Sequence, residues 1–185
     1  MEQVTHIRRI RAQVVGLFIC LVNAFTAYSQ TAQSPVEYQV KAAFLLNFTK
    51  FIDWPAASFA NPDSPIAICI LGKDPFGPVL DEIVQGETVN ARKVTVQRIS
   101  QPAGPQTCQV VFVSEPDKDI SKTLSGLGRG VLTVGEGDRF LRDGGMVALV
   151  VDNRRVRFDI NQTAATGAGL GLSARLLSVA RAVEK

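Results

Sequence analysis

"PIAICILGKDPFG", residues 65–77, is the stretch whose reading decides the fold. Pro65 to Leu71 is apolar and β-branched without alternation, the pattern of a strand covered on both faces. It runs directly into Gly72, and Asp74 followed by Pro75 places a capping carboxylate before a proline at the first helical position. A helix is therefore expected from Pro75 through Leu80 to Val84. A doubly covered strand followed at once by a helix is the building unit of a parallel α/β sheet.

The flanking sequence keeps that alternation. Upstream, "VEYQVKAAFLLNFTKFIDWP" (36–55) reads as a helix, with Val36, Val40, Phe44, Phe48 and Phe51 on one stripe, and with Trp54 and Pro55 at its stop. Downstream, "KVTVQRI" (93–99) alternates like a strand with one wet face, and "CQVVFVS" (108–114) is a second buried strand. A helix is expected around Lys118 to Leu127, a strand over Val131 to Val134, and a single turn, "RFLRD", capped by Asp138. "GGMVALVVDNRRVRFDIN" (144–161) reads as a hairpin turning at Asp152-Asn153. Val156, Phe158 and Ile160 take one face of it and Arg155, Arg157 and Asp159 the other. The expected architecture is α/β: a single-domain three-layer sandwich over about Pro35 to Val183, with a largely parallel sheet, a C-terminal antiparallel hairpin and helices on both faces.

The first thirty residues differ from the rest. Arg8, Arg9 and Arg11 precede the apolar run "VVGLFICLV" (14–22), and Ala27 and Ser29 follow as small residues at alternate positions. This is the layout of a secretory signal peptide, residues 1–29, cut after Ser29; an uncleaved N-terminal anchor is the alternative. The apolar run is short for a bilayer, and Phe18 and Ile19 are too bulky before Cys20 for lipid attachment. Removal of this segment takes away three arginines and Glu2, leaving 17 basic and 16 acidic residues and a net charge of +1. No electrostatic case for nucleic acid remains. His6, the one histidine, leaves too. Histidine-based triads are then excluded, metal sites are disfavoured and no cofactor is implied. Cys69 and Cys108 remain. In an exported chain they most simply form a disulfide, which requires the first and third strands to be neighbours; two buried thiols are the alternative.

Three loops follow the carboxyl ends of expected strands: Gly72 to Asp74, Ser114 to Asp117 and Gly135 to Asp138. Ligands of open α/β sheets lie beyond such ends. The bland reading of their carboxylates is helix capping. The pairs in "DKD" (117–119) and "EGD" (136–138) read as solvated loop acids, because paired acid/base work needs a cleft geometry that sequence cannot supply. Arg154, Arg155 and Arg157 suit phosphate or carboxylate partners or a solvated sheet face. Trp54 reads equally as a ligand platform or partner anchor and as a core plug. Gly167, Gly169 and Gly171 lack the spacing of a dinucleotide fingerprint. Asn161 can cap a short helix through Thr166, and Ser173 can cap a final helix, "ARLLSVARAV", buried through Leu176, Leu177 and Ala180. No strand is expected after it.

Four segments, "EYQVKAAFLLNFTKFIDWP", "ILGKDPFG", "GGMVALVVDNRRVRFDIN" and "AGLGLSARLLSVA", stand in this order after a signal peptide. Together they resemble the YfiR family of exported proteins over nearly all of the mature chain. The resemblance implies a periplasmic regulator rather than an enzyme. Such proteins repress an inner-membrane diguanylate cyclase through its periplasmic domain and so control cyclic di-GMP and biofilm formation. An OmpA-type outer-membrane lipoprotein can sequester them, and they form homodimers. Members beside sensor kinases also exist, which leaves the partner open. Cys69 and Cys108 match one family bridge, while a second bridge has no counterpart here. Trp54 and Arg157 match positions near a proposed ligand pocket. With Asn161, Gly72, Asp74 and Ser114 they form the candidate ligand- or partner-binding set. The alternative function is a periplasmic small-molecule-binding module of another sensor system.

Overall fold

The computed structural model describes residues 35–114 and 120–185, which belong to one compact unit, Ser34–Lys185. The expected leader lies outside the described residues. Helix α1 (Pro35–Phe51) leads into a two-residue strand β1 (Ile52–Asp53), a 3₁₀ turn (Ala56–Ser58) and β2 (Ile66–Leu71). Then come α2 (Pro78–Val84), β3 (Thr88–Val89), β4 (Arg92–Ile99), β5 (Val110–Val113), α3 (Ile120–Leu127), β6 (Leu132–Glu136) and α4 (Arg139–Arg142). The hairpin β7 (Val147–Asp152) and β8 (Arg155–Asn161) precedes α5 (Gln162–Gly167), β9 (Gly171–Leu172), α6 (Ala174–Val179) and β10 (Ala182–Glu184).

Eight strands form one sheet in the order β10-β8-β7-β6-β5-β2-β4-β3, and β1 pairs with β9 outside it. The sheet is parallel from β4 through β7, and β8 returns antiparallel beside β7. All six residues of β2 and all four of β5 are buried, because helices cover both faces. On one face α1, α2, α5 and α6 pack over Ile66, Ile68, Ile70, Phe112 and Phe158; on the other α3 and α4 pack over Ala67, Cys69, Val111 and Ala148. The α/β sandwich with its terminal hairpin is thus the fold that the strand and helix patterns predict. Neighbouring β2 and β5 bring Cys69 and Cys108 to a Cα separation of 5.8 Å, and the two form a disulfide in the second core.

Several boundaries depart from the sequence pattern for identifiable reasons. Helix α2 begins at Pro78, not Pro75, because the Asp74 carboxylate accepts the Phe76 amide two residues on and closes a turn. Helix α1 ends at Phe51 because Ile52 and Asp53 pair with Leu172 and Gly171. Of its expected stripe, Phe48 is buried and Phe44 half-buried against Phe158, whereas Val36 and Val40 are 63% and 40% exposed. The helix rolls so that Lys41, Leu45 and Thr49 are buried instead. Asp138 makes no capping bond to α4; it accepts from Arg181. Asp159, expected on the face of Arg155 and Arg157, is 5% exposed because the same Arg181 closes over it. The C-terminal segment does not stay helical. After Val179 the chain extends, the Arg181 amide donates to Phe158 O, and β10 joins β8 in parallel. A strand therefore does follow the glycines, while Asn161 and Ser173 cap α5 and α6 as expected.

Candidate functional site

The chain moves from β2 outward to β4 and then returns to the other side of β2 as β5. That reversal opens a crevice beyond the carboxyl ends of β2 and β5, the place where open α/β sheets hold ligands. Gly72 enters the crevice with φ of 94°, a backbone region that favours glycine, and its amide donates to Ile99 O. Phe76, delivered by the Asp74 turn, sets its ring 4.8 Å from Phe112 of β5, and Tyr38 of α1 meets Phe76 edge-on at 5.5 Å. Ser114 follows β5 with its amide on Leu71 O, and the rest of its loop lies outside the described residues.

A polar cluster caps this aromatic wall. Lys41, 2% exposed, holds Glu37 at 2.5 Å and Glu136, the last residue of β6, at 2.8 Å. Its ammonium also lies 4.6 Å from the centre of the Tyr38 ring. Burial pushes the Tyr38 phenol up to about 12, and the Glu136 charge and a hydrogen bond to it push the same way. The cluster fastens α1 to the end of β6 across 95 residues. The sequence pattern missed Lys41; the available signal was the Glu37, Lys41, Leu45 spacing, which places a lysine between residues of a buried stripe.

The remaining candidates do not converge on that crevice. Asp74 accepts the Arg98 guanidinium at 2.9 Å, and Arg98 also reaches Asp81 and Gly77 O. The hydrogen bond from Arg98 lowers the Asp81 pKa, so Asp74 is part of an ion-pair network tying α2 to β4. Gly135 sits under the Phe140 ring: an added Cβ would lie 2.3 Å from it, so this glycine makes room for packing. Trp54 lies at the opposite, amino ends of the strands, and its indole donates to Gln109 O at 3.3 Å. Gln109 is itself buried and links Ala67, Ser58 and Pro105 through its amide. Trp54 lines a cavity of about 300 Å³ with Asp53, Phe59, Ile66 and Arg92, whose guanidinium stacks on Phe59 at 3.8 Å. Arg157 is exposed beside Val150 on the face away from that cavity. Asn161 serves α5 through its Ala164 bond. A wider, open groove of about 800 Å³ lies between α5, α6 and β10, along Gln162, Thr166, Leu177 and Ser178; no sequence motif marks it.

Among the described residues no group of three or more acidic, histidine or cysteine side chains is placed to hold a metal, and no helix is long and apolar enough to cross a membrane. The polar side chains of the crevice are engaged with one another, and the cavity and the groove lie elsewhere. The fold is a mixed α/β domain built on a largely parallel sheet with a C-terminal antiparallel hairpin. The chain belongs to the YfiR/HmsC-like family, whose model matches residues 38–181. That family is periplasmic and regulatory rather than catalytic, and a disulfide suits an oxidising compartment. No curated protein matches the chain.

Proposed function

We propose that this protein is a periplasmic regulator that binds the periplasmic part of an inner-membrane diguanylate cyclase, holds it inactive and so lowers cyclic di-GMP. The observation that carries this reading is the YfiR/HmsC-like match over residues 38–181. The basic and apolar leader pattern of residues 1–29 and the Cys69–Cys108 bridge are consistent with export. The mechanism is a population shift: the regulator prefers the inactive state of the cyclase, and sequestration by an OmpA-type outer-membrane lipoprotein removes that bias. A sensor kinase is the alternative membrane partner, and the regulator acts as a homodimer. Deletion of the gene should raise cellular cyclic di-GMP, and re-expression should lower it. An unchanged level would sink the cyclase version.

A second reading, a small-molecule-binding module of another sensor system, is favoured by the Trp54 cavity. Its volume of about 300 Å³ is at the lower end for ligand pockets, and it combines aromatic walls with the Arg92 guanidinium. A ligand-induced melting shift lost in Trp54→Ala, without recovery of any membrane protein after periplasmic crosslinking, would select it.

A further inference from the structure

The β7–β8 hairpin outruns the sheet that holds it. β6 pairs with β7 only as far as Leu149, and β10 pairs with β8 only from Asp159 onward. Beyond the buried Val150 and Phe158, residues 151–157 therefore project as a two-stranded finger whose outer edges, among the described residues, pair with no neighbouring strand. Asn153 and Arg154, with φ of 48° and 62°, close its tip in the tight turn that suits a twisted hairpin. The Asn161 amide donates to Met146 O across the pair, and Phe158 O accepts from Arg181 on the outer side. Antiparallel alternation then turns the amides of Val156 and Phe158 to the open edge of β8 and those of Arg155 and Arg157 inward to β7.

The finger's two faces differ in chemistry. Val151 and Val156 are directly opposite each other on the face of Leu149 and Phe158; Val151 is 54% exposed. Val40 of α1, one turn from Phe44 and hence from the Phe158 ring, adds apolar surface on that side. On the other face Arg155 and Arg157 are exposed, with Arg154 at the tip. Among the described residues, no ion pair or side-chain hydrogen bond engages these three arginines, whereas Arg98 and Arg181 each hold two carboxylates. Asp159, on the same face, is closed off by Arg181.

From this geometry we infer that the open edge of β8 over residues 155–157 receives an extended, acidic segment of the partner protein, added as a strand. Resting on the regulatory reading above, the inference gives that regulator its contact surface. The arrangement selects the occupant. A flat lipid headgroup layer can meet one face of the finger but not both, and here the arginines and the valines lie on opposite faces. A second copy docking edge to edge would bring two arginine clusters together, which like-charge repulsion opposes. A strand added edge-on reaches both faces, because its side chains alternate. Its carboxylates meet Arg155 and Arg157 while its apolar residues extend the Val151 and Val156 face. An edge whose arginines serve only to repel other strands would show no such preference.

The probe is a fluorescent, end-blocked peptide of about ten residues alternating Glu and Val, with a Lys–Val peptide as its counterpart, titrated against the full mature protein. The Glu–Val peptide should bind at least about tenfold more tightly, lose about tenfold in affinity between roughly 20 and 200 mM salt, and slow exchange of the Val156 and Phe158 amides. N-methylation of alternate peptide amides and the Arg155→Glu/Arg157→Glu variant should each abolish binding, with the variant's melting temperature unchanged. Equal affinity for both peptides, binding that survives the charge reversal, or protection at another edge would overturn the inference. In cells the two readings separate. If gene deletion raises cyclic di-GMP and the charge-reversed variant restores repression fully, this surface is refuted and the regulator stands. If deletion has no effect, the regulator reading falls whatever the peptide does.

Discussion

Replacing Lys41 with methionine tests the central claim about the candidate crevice, that a buried ammonium ties α1 to the end of β6. The lysine side chain is 2% exposed, whereas those of its partners Glu37 and Glu136 are 17% and 28% exposed. Removing one member of a fully buried ion pair costs about 3–5 kcal/mol, and an exposed pair is worth at most about 1 kcal/mol. Water reaches both carboxylates in part, so the expected loss at pH 7 lies between, at about 2–3 kcal/mol. For a unit of this size that is a fall of about 5–10 °C in melting temperature. Urea unfolding at pH 7, with Lys41→Met/Glu136→Gln as the partner variant, measures this. The double variant should recover more than half of the loss. A deficit below about 1 kcal/mol, or a double variant no more stable than the single one, would refute the account.

Other outcomes follow from the same structure. The Cys69–Cys108 bridge closes a loop of sequence separation 39, so its removal by paired Ala substitution should lower stability by about 4 kcal/mol in urea unfolding. A loss under about 1 kcal/mol would contradict the loop-closure account. With residues 1–29 removed, Tyr38 is the one tyrosine left, so its phenolate absorbance should titrate near pH 12 in the folded protein and near 10 in urea. Because burial raises this group's pKa, folded stability should decline between those two values as the unfolded chain loses its proton first. Titration near 10 in the native state would contradict the burial of the phenol beside Glu136. Gly135→Ala drives a Cβ against the Phe140 ring and should cost about 2 kcal/mol. An unchanged melting temperature would show that α4 can move aside.

The core strands were legible because each carries its own evidence. β2 and β5 are apolar at every position, a pattern that only a strand covered on both faces requires. The hairpin was legible from alternation, and the caps at Asn161 and Ser173 from residue type alone. The phase of α1 was not. Its sequence offers two overlapping apolar stripes, and the choice between them is made by Phe158, which lies more than a hundred residues downstream. Asp74 and Gly135 carried the right residue types for a ligand loop, but their roles depend on Arg98 and Phe140, which only the folded chain brings to them.

The sequence by itself determined the layered α/β plan, the strand that carries each cysteine and the family, because these rest on local periodicity and on motif order. The tertiary structure alone decided which polar groups are buried and where the sheet ends. Lys41 and Asp159 are buried because Glu136 and Arg181 close on them from distant segments. Ala182 and Val183 read as the end of a helix until the Arg181 amide finds Phe158 O at the sheet edge. In each case the deciding energy is that of a charge or an amide leaving water, and it depends on partners that sequence distance hides.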